Sequence, residues 1–348
     1  MSARLADLVA VPVSRRPALE EIGKRARSAD HVLLTTHVNA DGDGAGSEAA
    51  IAAWLESVGV QVTIVNPTPF PSNFRFLLHR DDLVADFAGA AARKAIKSAD
   101  LALVLDTSES NRIAGLAEEL DPELTFVIDH HPAGPTVVGR GGVQDPTASA
   151  TGELVYDLLT LAGDPWPHES ALGTYVAIVS DTGSFRFGNT TPRTHAVAAD
   201  LLSRGVDPEE VYQRLFAIAP PRRLQLLQEA LARLEHDPQL GLAWMVIPQE
   251  VSDRLGSTAD DYDGLIDHAR SIEGTRVALL FREMAPQETK LSLRSSGDTN
   301  VNRIARQFGG GGHVKASGAT IRLPVDEAVE RVLEAVRKEL LAGEVVTR

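Results

Sequence analysis

Two adjacent histidines behind an aspartate, Asp129-His130-His131, close the apolar run Leu124-Thr-Phe-Val-Ile128, and three further segments also end in aspartate. These are Leu33–His37 followed by Asp41 and Asp43, Leu101–Leu105 followed by Asp106, and Ala177–Ser180 followed by Asp181. Imidazoles and carboxylates delivered at element ends are the layout of a metal site. The chain has no cysteine, which removes disulfides, zinc–thiolate centres and thiol nucleophiles together. Any metal must therefore be held by His and carboxylate. Hard divalent ions prefer carboxylate oxygen, and an imidazole in the set tilts the preference from magnesium towards manganese.

Each group also has a plainer reading. In His37-Val-Asn-Ala-Asp41-Gly-Asp43-Gly44 the two acids, one residue apart on a loop, can face different ions, or one of them can cap a helix starting near Ala45. Asp106 alone reads as a turn residue, and Asp181 as the end of a helix in an Asp-Thr-Gly turn. Asp129-His130-His131 before Pro132 suggests one ligand and one substrate-facing imidazole. The run Gly309-Gly310-Gly311-Gly312-His313 has the composition of a linker. Its flanks, an amphipathic helix and a strand, favour a loop whose backbone N–H groups approach an anion, with His313 beside it. Arg294 is either a rim residue or a guanidinium for phosphate.

The elements that must position these residues follow from periodicity. Strands are expected at Val32–Thr36, Val60–Val65, Leu101–Leu105 and Phe126–Ile128, and helices at Pro17–Arg27, Ala45–Val58 and Thr151–Leu161. That alternation predicts a doubly wound, mainly parallel α/β sheet, whose strand ends converge in one crevice. Ala171–Ser180 fits a buried helix ending near Asp181. Pro192–Arg204, Pro208–Ala217 and Pro221–Glu235 read as helices opened by proline. Beyond Pro238 the pattern restarts with strands at Leu242–Ile247, Arg276–Phe281, Lys290–Arg294 and Ala319–Leu323, and helices at Tyr262–Arg270, Asn300–Phe308 and Val325–Leu341. With 348 residues, two domains are expected: residues 1–190 carrying the metal site, a helical connector over 191–238, and a smaller α/β domain over 239–348 that binds substrate across a cleft.

Composition narrows the function. No apolar stretch is long enough to span a bilayer and no signal-peptide core opens the chain, so a cytoplasmic location without membrane contact is expected. The net charge of −14 opposes capture of long duplex nucleic acid through counterion release. A small anionic ligand in a locally positive cleft remains compatible with it.

Together the motifs resemble the DHH phosphoesterase superfamily, and within it the group of nanoRNases, pAp phosphatases and cyclic di-AMP (pApA) phosphodiesterases. The resemblance spans about residues 20 to 340 and rests on His37…Asp41-Gly-Asp43, Asp106, Asp129-His130-His131, Asp181, Ser292-Leu-Arg294-Ser and Gly309–His313. It implies two Mn²⁺ per chain, with Co²⁺ or Mg²⁺ as substitutes. His37, Asp41 and Asp106 would hold one ion; Asp43, Asp106, His130 and Asp181 would hold the other. By the same resemblance His131 faces the scissile phosphate, Asp129 orients it, and Asp106 bridges. Substrate would be held by Arg294, Ser296, Gly310, Gly311, Gly312 and His313, with Arg112, Arg186 and Asn189 as further candidates. The implied reaction is two-metal hydrolysis of short oligoribonucleotides, pAp or cyclic di-AMP to 5′-mononucleotides, by a monomer or homodimer. The alternatives are a RecJ-like single-strand exonuclease and a noncatalytic nucleotide sensor.

Overall fold

The structure is a computed structural model that describes residues 5–134, 136–217, 219–312 and 314–346. The chain divides into two compact units, residues 1–217 and 218–348.

In the first unit, β1 (His31–Thr35), β2 (Gln61–Asn66), β3 (Val84–Asp86), β4 (Leu101–Leu105), β5 (Thr125–Asp129) and β6 (Gly141–Gln144) form one parallel sheet in the order β3-β2-β1-β4-β5-β6. The central strands β1, β4 and β5 are buried along their whole length, as strands covered on both faces must be. On one face pack α2 (Arg16–Ser28), α3 (Gly42–Ser57) and α6 (Thr151–Ala162), whose Ile22, Ile51 and Leu154 meet Val32 and Leu34. On the other lie α4 (Ala90–Ser98) and α5 (Leu116–Glu119), around Leu33 and Val104. A further layer, α7 (His168–Asp181) and α8 (Pro192–Ser203), covers α3 with α1 (Leu5–Val9) and α9 (Pro208–Tyr212) at its margin.

The strand order reverses direction between β1 and β4. In open α/β sheets the crevice outside the carboxyl ends at that switch is where ligands bind. His37 follows β1 and Asp106 follows β4, so both stand at its mouth.

The second unit contains α10 (Pro221–Ala232), β7 (Leu234–Asp237), β8 (Leu242–Ile247), α11 (Gln249–Leu255), α12 (Leu265–Arg270), β9 (Val277–Ala285), β10 (Glu288–Ser295), α13 (Val301–Gln307), β11 (Gly311–Gly312), β12 (Ala316–Ile321) and α14 (Val325–Val346). Its sheet runs β11-β12-β10-β9-β8-β7, antiparallel except for the β8–β9 pair. Leu291 and Leu293 of β10 face α13 and α14, whereas Ala278 and Leu280 of β9 face α10 to α12.

Several elements differ from the periodicity reading. The helices expected as a connector over 191–238 are divided: α8 and α9 belong to the first unit and α10 to the second. Pro208–Ala217 is helical only to Tyr212, then widens into a π-type turn over Gln213–Ala217. Leu234 and Glu235, expected at a helix end, open β7 instead. No transmembrane candidate exists among the described residues: no helix is long and apolar enough to cross a membrane.

Candidate metal centre

Four chain segments meet at the switch point. Asp41 caps α3, its carboxylate accepting the N–H of Asp43 at 2.9 Å and of Gly44 at 3.2 Å, which is the plainer reading of that acid. Capping leaves its other oxygen, Oδ2, 3.8 Å from His37 Nε2. Asp43, one residue into the helix, is almost wholly buried. Glycines allow this placement through close approach rather than unusual torsion: a Cβ on Gly42 would lie 2.0 Å from Ser180 Oγ, and one on Gly44 2.5 Å from Thr36 Oγ1. The start of α3 is thereby pressed against the end of α7, where Asp181 sits.

Asp106 occupies the middle. Its backbone is left-handed, with φ of 61°, uncommon for a residue with a Cβ and a recurrent feature of functional positions. One carboxylate oxygen lies 3.2 Å from His37 Nε2, and the other 3.6 Å from His130 Nε2 and 3.7 Å from His131 Nδ1. His130 Nε2 is also 3.7 Å from Asp43 and 3.5 Å from Asp181.

Three sets have ligand atoms close enough to share an ion: His37, Asp41 and Asp106; Asp43, His130 and Asp181; and Asp106, His130 and His131. The chemistry of the donors fits a divalent cation. His37 Nδ1 lies 2.9 Å from the Val38 carbonyl and His130 Nδ1 3.4 Å from that of Ala148. With Nδ1 as the donor, each ring would present its Nε2 lone pair to an ion in the site. His130 Nε2 is buried without a hydrogen-bond partner, facing three carboxylates. A buried acceptor surrounded by acids lacks only a cation.

The electrostatics agree. Burial, reinforced by the charges of Asp106 and Asp181, pushes Asp43 well above the carboxylate range. Burial, with Asp106 and Asp41, raises Asp181 to about 6 against the opposing pull of His130. Burial also works against the charge of Asp106, yet His37, His131 and His130 hold its carboxyl below the ordinary value. Like charges gathered in a dry site are the condition that a divalent ion relieves.

Asp129 is fully buried and accepts from His131, at 2.9 Å from its backbone N–H and 2.8 Å from Nδ1. His131 thus keeps Nε2 free, and burial opposes but does not overcome the raising effect of Asp129 on this imidazole. Two residues that the sequence did not single out complete the set. Thr151 donates its hydroxyl to Asp106 at 2.9 Å and its N–H to Asp43 at 2.7 Å. Gln144 of the edge strand β6 reaches Asp129 at 3.4 Å.

The substrate candidates are scattered more widely. Arg112 is near enough to His131 to disfavour its charge. Arg186 is exposed and donates to the Gly183 carbonyl at 2.6 Å. Asn189 has its donors engaged: its Nδ2 donates to the Ser149 carbonyl at 2.7 Å and to Asp181 Oδ2 at 3.1 Å, so it braces an acid of the site, while its Oδ1 is buried without a partner. In the second unit, Arg294 and Ser296 line different hollows. Arg294 shares one with Arg282, Lys290 and Ser292, whereas Ser296 lies past the end of β10 in a cavity of about 840 Å³ with Arg276 and Asn300. Of the glycine run, Gly311 is open, but a Cβ on Gly310 would stand 2.1 Å from the Gly318 carbonyl oxygen. Packing against β12 alone therefore requires glycine at position 310. His313 lies outside the described residues.

Residues 31–178 match the DHH family, N-terminal domain, and residues 246–342 match the DHHA1 domain. A bifunctional oligoribonuclease and PAP phosphatase from Thermus thermophilus is 36% identical over 89% of this chain and 90% of its own. The chain belongs to the DHH family. It falls in the nanoRNase and pAp-phosphatase group of phosphoester hydrolases, as the motifs led one to expect. A Bacillus subtilis relative of the same name is 29% identical over 84% of this chain and 90% of its own. An exopolyphosphatase-related protein from Bacteroides fragilis superposes with a TM-score of 0.87 at 26% identity, covering 94% of this chain and 97% of its own.

Proposed function

We propose that the chain is a manganese-dependent phosphoesterase that hydrolyses short oligoribonucleotides such as pApA, and pAp, to 5′-mononucleotides, and that cyclic di-AMP is a further candidate of the same chemistry. The observation that carries this reading is Asp106, whose two oxygens face different histidines, His37 at 3.2 Å and His130 at 3.6 Å. One carboxylate between two donor sets is the arrangement that a bridged pair of ions requires. In this reading His37, Asp41 and Asp106 hold one ion, and Asp43, Asp106, His130 and Asp181 the other.

Bound ions would activate a water and neutralise charge developing on the phosphoryl oxygens. The chain's own residues do the rest. Asp129 fixes His131 through Nδ1, so that Nε2 can donate to a phosphate oxygen or leaving group. Thr151 and Asn189 hold Asp106 and Asp181 against rotation. Arg294 and the open backbone at Gly311, with Gly312 and His313 beside it, receive the nucleotide end. Relatives named as oligoribonuclease and PAP phosphatase support this substrate class, and a chain of this class works in the cytoplasm.

The test is kcat/KM for pAp, pApA, a pentaribonucleotide and cyclic di-AMP with Mn²⁺. Turnover of pAp and the short linear oligoribonucleotides supports the reading. Rates that rise towards long single strands turn it into an exonuclease, and absence of turnover turns it into a sensor.

A further inference from the structure

In the second unit, β10 alternates strictly: Thr289, Leu291, Leu293 and Ser295 are buried, while Lys290, Ser292 and Arg294 take the opposite face. On that face the apolar cluster of Ala243, Met245, Ala278 and Leu280 under α10 to α12 stops at β9. From β10 outward the same face is polar. Arg282 stands across from Lys290 on β9, and Thr320, Gly318 and Ala316 of β12 stand across from Lys290, Ser292 and Arg294. Beside these small neighbours Lys290 is exposed, and Arg282 and Arg294 are half-buried at the lip of one hollow.

Their partners are equally informative. Among the described residues, Arg282, Lys290 and Arg294 form no ion pair, whereas Arg270 and Arg303 of the same unit pair with Asp267 and Glu339. Asp263 is the acid that lines the same hollow. Arg282 is held in place: its guanidinium lies 3.9 Å from the centroid of the Tyr262 ring, and the Tyr262 hydroxyl is 2.5 Å from Ser252 Oγ. A guanidinium stacked on an aromatic ring loses less freedom when it binds an oxyanion. In a chain of net charge −14, unpaired cations aligned on one strand face mark a place for an anion.

We propose that Arg282 and Lys290 form a second phosphate subsite, beyond the phosphate received at Arg294, which selects short oligoribonucleotides of three or more nucleotides; this rests on the phosphoesterase reading above. Alternate residues of a strand are about 7 Å apart, the scale of one backbone step of an extended single strand. Arg294, Ser292 and Lys290 therefore form a row along which successive phosphates are spaced, with Arg282 beside its far end. A substrate with one nucleoside, such as pAp, does not reach that end.

The test uses the full chain and the Arg282→Gln/Lys290→Gln variant, with titration calorimetry against triadenylate and pAp in chelator, where no turnover occurs. Both positions are solvent-accessible, and a thermal melt reports whether the fold is kept; Lys290→Gln alone serves as the milder variant. The expected result is a roughly tenfold weaker Kd for triadenylate, a Kd for pAp unchanged within about twofold, and a smaller salt slope, by about 0.7 for each phosphate that is no longer neutralised. Unchanged triadenylate binding, equal weakening of both ligands, or no triadenylate binding by the unsubstituted chain overturns the subsite. A chain that hydrolyses no nucleotide but loses triadenylate binding on substitution refutes the phosphoesterase reading alone. One that hydrolyses pApA while the variant binds triadenylate normally refutes the subsite alone.

Discussion

Asp43 caps the helix that opens at Thr151: its carboxylate accepts the Thr151 N–H at 2.7 Å and the neighbouring Gly152 N–H at 2.9 Å, at the first turn of α6. A helix N-terminus favours negative charge, and α6 carries no side-chain cap of its own. The acid of one motif thus completes a helix more than a hundred residues away, and the Thr151 hydroxyl goes on to Asp106.

Thr151→Val removes only that hydroxyl, keeping the backbone bonds to Asp43. Hydrogen bonds to charged groups contribute about 1.5–3 kcal/mol, so kcat should fall roughly tenfold to a hundredfold with KM little changed. Thr151→Ser should restore it. Steady-state kinetics on pApA check this, and a Val variant with full activity removes Thr151 from the site.

Asp106 and Arg294 should fail differently. Asp106→Ala removes the carboxylate shared between two donor sets and should lower kcat by orders of magnitude. Arg294→Ala should mainly raise KM, because in the proposed reading its guanidinium positions the nucleotide. The same kinetic defect in both would show that metal binding and recognition are not divided between the units in this way.

The glycine run splits into two tests. Gly310→Ala drives a Cβ to 2.1 Å from the Gly318 carbonyl oxygen and should lower the melting temperature; Gly311→Ala meets nothing within 4 Å and should leave it unchanged. If the backbone here serves an anion, Gly311→Ala weakens dinucleotide binding while metal binding persists. Paired melting curves and dinucleotide titrations separate the two effects.

The central strands were legible because β1, β4 and β5 are continuous apolar runs, and so were the acids and histidines at their ends. The edge strands were not. Gly141-Gly-Val-Gln144 and Val84-Ala-Asp86 are short and half-exposed, so neither length nor alternation marks them. The same limit hid Gln144, which reaches Asp129 from that edge. Thr151 was invisible for another reason: it reads as an ordinary first-turn residue until tertiary packing sets it between Asp43 and Asp106. Asn189 was noticed as an amide, but a sequence does not show that its donors are engaged by Asp181 and Ser149. Gly310 looked like an anion loop, and only the register of β11 on β12 shows the carbonyl it must avoid.

Glu48 gives a pH prediction. Burial pushes its carboxyl from 4.5 up to about 8, against a hydrogen bond from Asn66 and the nearby His37, and its Oε1 has no partner. The folded chain therefore keeps this proton when the unfolded chain has lost it. The contribution is fully present below pH 4.5 and is lost as pH rises through about 8. Glu48→Gln, neutral throughout and of the same shape, should flatten the fall in stability over that window. Denaturant unfolding of both chains at pH 5, 7 and 9 reads the difference; parallel pH profiles would mean that Glu48 is ionised in the folded state.

In the proposed mechanism the acids and histidines around Asp106 hold divalent ions needed for phosphoester hydrolysis. Its most direct test is pApA hydrolysis by chain stripped of metal with chelator, before and after Mn²⁺ is returned. No turnover is expected when stripped, with recovery on adding Mn²⁺ or Co²⁺, weaker recovery with Mg²⁺, and no recovery in Asp106→Ala. Full turnover by the thoroughly stripped chain would contradict it.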